Sequence, residues 1–441
     1  MTNRYLYVQA EEEFYPHNLI NSDELSTLTI LPQVEFGNTD HGDDDTIYYL
    51  ISCYSEENFN QFAMNAISPQ MTRGVAHLEQ LEEIYNDPDK LNEYFIQNNI
   101  IFNIPNIIRK QINAGKVKVL VFHALEGYHS INMNYVKKLL GVEPSSVIFL
   151  TGDYRYNTPV TDPSGITLMW INYWERSCAG LGIQTPQNIK SYLDKYKNDL
   201  VQNETRKYMN TFYNRRIRDH RINAMSVLHK ENLLDTMIWS WGGSVDQYTT
   251  VQLNNVNEAT NNFIRYQYVN YTGIEYTDSI KEVLSWGNLQ NGKESTEDLH
   301  INLVNTINID HLSDTYYQFI CETWATNDTT FLSEKSFKPF LLGQPFLTWA
   351  DVGTVSALKQ LGYDTFDDVF SHSYDSTEDT KLRLLELRDE IKRVNLSLGQ
   401  NFFKRKTSEG TYIARLQQNY NNLITSYQRN GINFSYIEER K

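Results

Sequence analysis

The chain has 441 residues, which is too many for one ordinary hydrophobic core, so we expect two domains. Hydrophobic residues make up 40% of the chain and charged residues 21%, a globular composition that excludes an intrinsically disordered protein. The formal net charge of −16 disfavours nucleic acid and anionic membranes as partners, except where a local basic patch reverses the field.

Membrane and redox signals point to the cytoplasm. The sequence has no apolar run of about 18 residues, so no transmembrane helix is predicted. Residues 1–5 are not followed by an apolar stretch, which indicates that there is no signal peptide. The cysteines Cys53, Cys178 and Cys321 lie far apart and form no CxxC pair, which is typical of buried thiols and not of a disulfide or zinc site. We expect a cytoplasmic protein, or one of the host cytoplasm if the source is viral.

In the first half, strand and helix patterns alternate along the chain. The apolar runs 116–124 and 146–151 predict strands, and residues 132–140 between them predict a helix that ends at Gly141. This order is typical of a parallel, doubly wound sheet. Further strands are predicted at 26–36 and 46–52, a turn at 41–45 and broken helices at 74–114.

The second half repeats this alternation after a polar, helical connection. Strands are predicted at 207–213, 236–241, 316–322 and 345–349, helices at 218–231, 333–342 and 353–361, and amphipathic terminal helices at 376–395 and 408–428, whereas 245–300 has no clear pattern. The predicted organisation is an N-terminal α/β domain at 1–185, a connecting helix or linker at 186–205, a second α/β domain at 206–375 and C-terminal helices at 376–441.

A candidate phosphate site lies at the start of the helix that follows the strand ending at Glu322. In open α/β sheets ligands bind beyond the carboxyl ends of the strands, and a helix N-terminus there offers N–H groups to a phosphate. Lys335 in the first turn opposes the helix dipole, and an anionic ligand would remove that conflict. Glu334 is placed to accept hydrogen bonds from ribose hydroxyls. The alternative is an ordinary capped helix with Ser333 as its N-cap.

A second candidate is an arginine cluster at the predicted junction between strand 207–213 and helix 218–231. Four arginines fall within residues 215–221 of a strongly acidic protein. The guanidinium fork donates two parallel hydrogen bonds, which suits diphosphates, and we favour Arg216 or Arg218 for this contact. Arg221 lies one helical turn beyond Arg218. The alternative is a solvated helix face that forms ion pairs with nearby carboxylates.

Both segments match a family pattern in order and spacing. The matching stretches are Asn214-Arg215-Arg216-x-Arg218-x-His220-Arg221, Asn232-Leu233-Leu234-Asp235, Glu322, Ser333-Glu334-Lys335-x-Phe337-Lys338-Pro339 and Gly343-Gln344-Pro345-Phe346. They resemble phage and bacterial glycosyltransferases related to the α1,3-fucosyltransferases, over roughly residues 206–370. The family's Thr-Glu-Lys falls on Ser333, Glu334 and Lys335. Its Phe-Glu-Asn falls on 320–323, where Glu322 is kept but the Asn is lost, which leaves the donor sugar open.

The resemblance implies an α/β protein of GT-B type, with two Rossmann-like domains that face a cleft and with C-terminal helices. It implies an acceptor in the first domain, a nucleotide-sugar donor in the second, and an inverting, metal-independent transfer that needs no cofactor besides the nucleoside-diphosphate sugar. The predicted catalytic residues of the donor side are Arg216 and Lys335, which would neutralise the leaving diphosphate. The predicted substrate contacts are Asn214, Arg215, Arg218, Arg221, Glu322, Ser333 and Glu334.

An inverting transfer also needs a base that takes the proton of the acceptor hydroxyl. Glu126 follows a predicted buried strand of the first domain, which is where an α/β sheet places functional side chains. Desolvation there would raise the pKa of this carboxyl towards a useful value. His123 and His129 are the next candidates, and the alternative for Glu126 is a helix cap or an ion pair.

Other functions stay open at this stage. Residues 43–45 are three aspartates that could hold a nucleotide-bound metal, but they precede a strand, so a solvated turn is the better interpretation. The acceptor is expected to be a glycan or a hydroxylated small molecule. A hydroxymethylated DNA base is an alternative, for which salt-sensitive DNA binding would be the evidence. A non-catalytic nucleotide- or glycan-binding module and a virion interaction protein are further alternatives.

Overall fold

The computed structural model describes residues 3–8, 20, 22–42, 44–52, 104–125, 133–184, 205–214, 218–242, 272–286, 289–290, 293–294, 314–325 and 329–438. The chain divides into two compact units. The first consists of Met1–Tyr173 and Gln428–Lys441, and the second of Trp174–Tyr427. The boundary therefore lies before the predicted position at 185, and most of the C-terminal helical region belongs to the second unit. The predicted connection at 186–204 lies outside the described residues.

The first unit contains, within the described residues, a seven-stranded sheet in the order β2-β1-β3-β4-β5-β7-β6. Its neighbouring strands are parallel except for β6 and β7, which confirms the predicted parallel α/β sheet. Its strands are β1 Arg4–Val8, β2 Leu28–Pro32, β3 Thr46–Ser52, β4 Val117–His123, β5 Val147–Thr151, β6 Val160–Thr161 and β7 Thr167–Trp170. Its helices are α1 Ser22–Leu25, α2 Asn106–Asn113, α3 Met133–Leu140 and, near the C-terminus, α12 Phe434–Glu438.

Strand β4 shows why the predicted apolar runs become central strands. Val119 and Val121 lie in a core cluster on one face of the sheet, and Leu120 and Phe122 lie in the cluster on the other face. Because both faces are covered, the strand needs apolar residues at nearly every position and shows no polar alternation. Gly141 ends α3 in the left-handed region at φ 58°, as the helix-stop pattern predicts.

The second unit contains, among the residues described, a six-stranded sheet in the order β11-β10-β9-β8-β12-β13. The neighbouring strands β9, β8, β12 and β13 are parallel to one another. Strand β10 is antiparallel to both β9 and β11. The strands are β8 Asn210–Asn214, β9 Met237–Trp241, β10 Leu289–Gln290, β11 Lys293–Glu294, β12 Tyr317–Cys321 and β13 Phe346–Trp349. The helices are α4 Tyr173–Gln184, α5 Asp219–Lys230, α6 Thr277–Ser285, α7 Glu334–Leu341, α8 Thr354–Gln360, α9 Thr380–Lys392, α10 Gly399–Ser408 and α11 Gly410–Arg429. The first residue of α4 and the last two residues of α11 belong to the first unit.

Helix α4 was not predicted, because glycines at 180 and 182 weaken its helical pattern. These glycines serve close packing instead. A Cβ at Gly182 would lie 2.5 Å from Ile424 and 2.8 Å from Leu341, and one at Gly180 would lie 3.1 Å from Tyr427. Tertiary contact therefore overrides local propensity here. No helix within the described part of the chain is long and apolar enough to cross a membrane.

Candidate functional site

The candidate site lies at the carboxyl end of the second unit's sheet. Asn214 ends β8, Trp241 ends β9 and Cys321 ends β12, where it is in register with Trp349 of β13. Helix α5 follows β8 and helix α7 follows β12, so both predicted ligand segments reach this edge. This is the edge at which parallel α/β sheets bind ligands.

Glu322 connects the end of β12 to the start of α7 through hydrogen bonds. Its side chain is fully buried (0% exposed), and its two oxygens accept five hydrogen bonds. The hydroxyls of Ser333 and Ser336 donate at 2.5 and 2.6 Å. The backbone N–H groups of Thr323, Ser333 and Ser336 donate at 2.9, 3.2 and 3.1 Å. A buried carboxylate needs such partners, because burial without them carries a large desolvation cost.

This arrangement gives Glu322 and Ser333 partners within the protein, and their predicted substrate contacts stay predictions. The Ser333 hydroxyl accepts a hydrogen bond from the N–H of Lys335 at 3.2 Å, so Ser333 is the N-cap of α7. The carboxylate of Glu322 takes the N–H of Ser336 in the same first turn. The start of α7 is therefore a capped helix, as the alternative interpretation predicts, and Glu322 accepts from one N–H of its first turn.

Lys335 extends from the first turn of α7 towards the end of β12. Its Nζ lies 2.9 Å from Oε1 of Glu334 and 3.3 Å from the hydroxyls of Thr323 and Ser333. The side chain keeps 19% of its surface exposed. Glu334 thus relieves the conflict between this lysine and the helix dipole. A ribose hydroxyl that contacts Glu334, as predicted, would therefore share this carboxylate with Lys335.

The charge state of Glu334 follows from its neighbours. Burial raises the pKa of this carboxyl, but the charges of Lys335 and Lys338 and the hydrogen bond from Lys335 outweigh burial and hold the pKa below its ordinary value. Glu334 is therefore ionised at neutral pH. Burial lowers the pKa of Lys338, and the negative charge of Glu334 partly offsets this decrease.

Arg218 approaches the same point from the other segment. Its guanidinium donates a hydrogen bond to the carbonyl oxygen of Thr323 at 2.9 Å, and its Cζ lies 4.9 Å from the ring centroid of Trp324. Lys335 contacts the hydroxyl of that threonine, so both cations contact Thr323, one at its carbonyl oxygen and the other at its side chain. The arginine segment and the start of α7 are thus neighbours in the fold, as the strand order requires.

The substrate contact predicted for Arg221 stays a prediction. The residue is buried with 6% exposure and lies beside Cys321. Burial nevertheless raises the pKa of the Cys321 thiol to about 12. Arg221 therefore lies beside the end of β12 in a buried part of the second unit.

His220 links α5 to the same strand end. Burial holds the pKa of His220 well below its ordinary value, and the charges of Arg221 and Arg218 lower it further. Its Nε2 lies 2.9 Å from the carbonyl oxygen of Glu322, so the neutral ring donates its Nε2–H there. The carbonyl of His220 in turn accepts a hydrogen bond from the indole of Trp349 at 3.0 Å.

Asn214 is the remaining predicted contact that the structure describes. It is fully buried, and neither atom of its side-chain amide has a hydrogen-bond partner in the described structure. Buried amides normally have partners, so this group has unused capacity for a polar ligand or a water. Arg215, Arg216, Glu126 and His129 lie outside the described residues.

His123, an alternative candidate for the base, ends β4 in the first unit. Burial lowers the pKa of its imidazole to about 3. A general base works best with a pKa near the working pH, so His123 is poorly suited to that role. Among the described residues no group of three or more metal-ligating side chains is placed to hold a metal ion. Asp43 lies outside the described residues.

The buried histidines predict acid sensitivity. As the pH falls below about 6.5, the unfolded chain binds a proton at His123 before the folded chain does, because the folded pKa is about 3. The contribution of this histidine to the free energy of unfolding should thus be fully present above about pH 6.5. It should fall by about 1.4 kcal/mol per pH unit towards pH 3. Urea unfolding of the first unit at several pH values should show this slope, and His123→Phe should reduce it. An unchanged slope in that variant would rule out His123 as the cause.

No protein-family model matches the chain, and no curated protein matches it. A solved structure that it weakly resembles is the N-terminal domain of trehalose-6-phosphate phosphatase from Candida albicans. The identity is 9%, the TM-score is 0.41, and the alignment covers 98% of this chain and 95% of that chain. A likeness this weak does not bear on function.

Sequence reasoning missed Thr323 and Trp324. The available signal was the position after Glu322, where the resembled family has an asparagine and this chain has a threonine followed by a tryptophan. In the structure these two residues receive the contacts of Arg218 and Lys335.

Proposed function

We propose that the chain is a glycosyltransferase that moves a sugar from a nucleoside-diphosphate sugar to a hydroxyl acceptor. The observation that carries this proposal is the meeting of Arg218 and Lys335 at Thr323, beyond the carboxyl end of β12. Two cations from separate segments at this edge suit a diphosphate. The family resemblance of the sequence supplies the step from a diphosphate site to sugar transfer.

The chemistry requires stabilisation of a leaving diphosphate, on which negative charge grows as the sugar departs. Arg218 supplies a planar fork of donors, and Lys335 supplies a compact positive charge. Glu322 and Ser333 act indirectly in this proposal, because they fix the first turn of α7 and hence the backbone of Lys335. Arg216 joins the two cations if the segment at 215–217 follows the family pattern.

The proposal includes a GT-B type of organisation, in which the first unit binds the acceptor and the second binds the donor. The acceptor is a glycan or a hydroxylated small molecule, and the transfer is inverting and metal-independent. Glu126 is the proposed base. A donor site in the second unit is supported by its parallel sheet and by the two cations at the sheet's carboxyl edge.

A panel of nucleoside diphosphates tested by thermal shift examines the site directly. A ligand that binds only the folded state at 100 times its dissociation constant stabilises by about 2.7 kcal/mol, so we expect the second unit's transition to move up by several degrees. At least one diphosphate should give this shift in the wild type and a smaller one in Arg218→Ala. Lys359→Ala, which removes an exposed ion pair with Asp367, is the control and should shift like the wild type. Absence of any shift across the panel would contradict the proposal.

A further inference from the structure

An indole ring lies against Arg218 just beyond the carboxyl end of β12. In the stretches 321–325 and 331–336, Trp324 and Lys335 are half-buried, and every other residue is buried. Arg218, which is also half-buried, lies against Trp324. The part of these segments that a ligand can reach therefore combines a flat aromatic ring with positive charge.

The ring is held in a defined place. The Cζ of Arg218 lies 4.9 Å from the centroid of Trp324, within the range of a cation–π contact. The guanidinium is itself fixed by its 2.9 Å hydrogen bond to the carbonyl oxygen of Thr323. On the C-terminal side of Trp324, the carbonyl oxygen of Ala325 accepts a hydrogen bond from the buried Arg383 at 3.3 Å. The residues on both sides of the tryptophan are thus tied to helices, which gives a preorganised platform.

A nucleoside diphosphate is complementary to this surface, because it joins a flat base to two negative phosphates. Base–aromatic stacking is a strong contact that every base can make, because every base has a π face. We propose that Trp324 stacks on the base of the bound nucleoside diphosphate while Arg218 and Lys335 hold its phosphates. This inference rests on the proposed function, and it assigns the base contact to a residue outside the resembled motif.

The inference predicts that Trp324 recognises the base and not the phosphates. Calorimetric titrations of the full chain would use GDP, UDP and inorganic pyrophosphate, which has phosphates but no base. Trp324→Ala should weaken GDP and UDP about tenfold or more and leave pyrophosphate unchanged. Trp324→Phe, which keeps an aromatic face, should retain most of the affinity, and Lys335→Ala should weaken all three ligands.

The outcomes separate the two proposals. If the wild type binds none of the three ligands, the proposed function fails. If it binds them and Trp324→Ala binds GDP and UDP as well as the wild type does, the stacking role alone fails. An equal loss for pyrophosphate would also overturn the inference, since the ring would then act on the phosphate site. Trp324→Leu, which keeps apolar volume, replaces the alanine variant if that one does not fold.

Discussion

Replacing Lys335 with alanine is expected to lower sugar-transfer turnover about 100-fold or more while the chain stays folded. The Nζ of Lys335 contacts the hydroxyl of Thr323, whose carbonyl oxygen binds Arg218, and in the proposed function its charge acts on the leaving diphosphate. Loss of one preorganised electrostatic donor from an active site commonly has an effect of this size. The fold should survive, because the side chain is partly exposed and the buried Glu334 keeps the nearby charge of Lys338.

The matched variants separate charge from packing. Lys335→Gln keeps much of the length and the hydrogen-bonding capacity towards Thr323 but removes the charge, so its turnover should be nearly as low as that of the alanine variant. Lys359→Ala removes a lysine of the same unit from an exposed ion pair and should leave turnover unchanged. Initial rates with a panel of nucleotide-sugars, together with the melting temperature of each variant, provide the measurement.

Two results would count against this role. Full activity in Lys335→Ala would remove the lysine from the site. Tight diphosphate binding by the wild type, without transfer or hydrolysis of any donor, would support the alternative of a non-catalytic nucleotide-binding module. Salt-sensitive binding of DNA would favour a DNA acceptor.

The architecture of the sheets could be predicted from the sequence because it depends on local patterns. Runs such as Val117–His123 are apolar at nearly every position, which is what a parallel strand covered on both faces needs. Helix α4 escaped prediction because Gly180 and Gly182 make sense only against their partners in the fold. Strand β1 has only five residues, and its place in the sheet depends on pairing with β2 and β3.

The candidate site was predictable only in part. The topological rule for parallel sheets places Arg218 and the start of α7 at one edge of the sheet, and in the structure Arg218 and Lys335 both contact Thr323. The direction of Glu322 could not be predicted, because a carboxylate after a strand can face either a ligand or the next helix. The two serines at 333 and 336 decide this, since their hydroxyl and N–H groups converge on it. Arg221 and Arg218 also differ in exposure, which the sequence could not show: Arg221 is buried and Arg218 is half-buried, although they lie one helical turn apart.

Glu322→Ala is expected to destabilise the second unit by about 3–5 kcal/mol, the largest effect on stability that we predict. The substitution leaves the hydroxyls and N–H groups of Ser333 and Ser336, and the N–H of Thr323, without their buried acceptor. Each buried donor that loses its partner costs about 1–3 kcal/mol unless water or a new contact replaces it. The first turn of α7 should therefore loosen.

Glu322→Gln distinguishes the loss of acceptors from the loss of charge. The amide keeps one oxygen, which we expect to face Ser336 because the hydroxyl and N–H of that residue both donate to the same carboxylate oxygen. Its NH₂ group then meets the N–H of Thr323, which is also a donor. The expected loss lies between wild type and alanine. Glu409→Ala, which removes an exposed carboxylate paired with Lys406, is the control and should change stability by less than about 1 kcal/mol.

Urea unfolding of the four proteins, followed with a probe in the second unit, gives the free energies of unfolding. The predicted order of stability places Glu409→Ala with the wild type, Glu322→Gln below them and Glu322→Ala last. If Glu322→Ala kept wild-type stability but lost affinity for nucleoside diphosphates, the result would support a direct contact between the carboxylate and the ligand, as the sequence predicts. Loss of both stability and affinity would fit a residue that acts on the ligand through the position of Lys335.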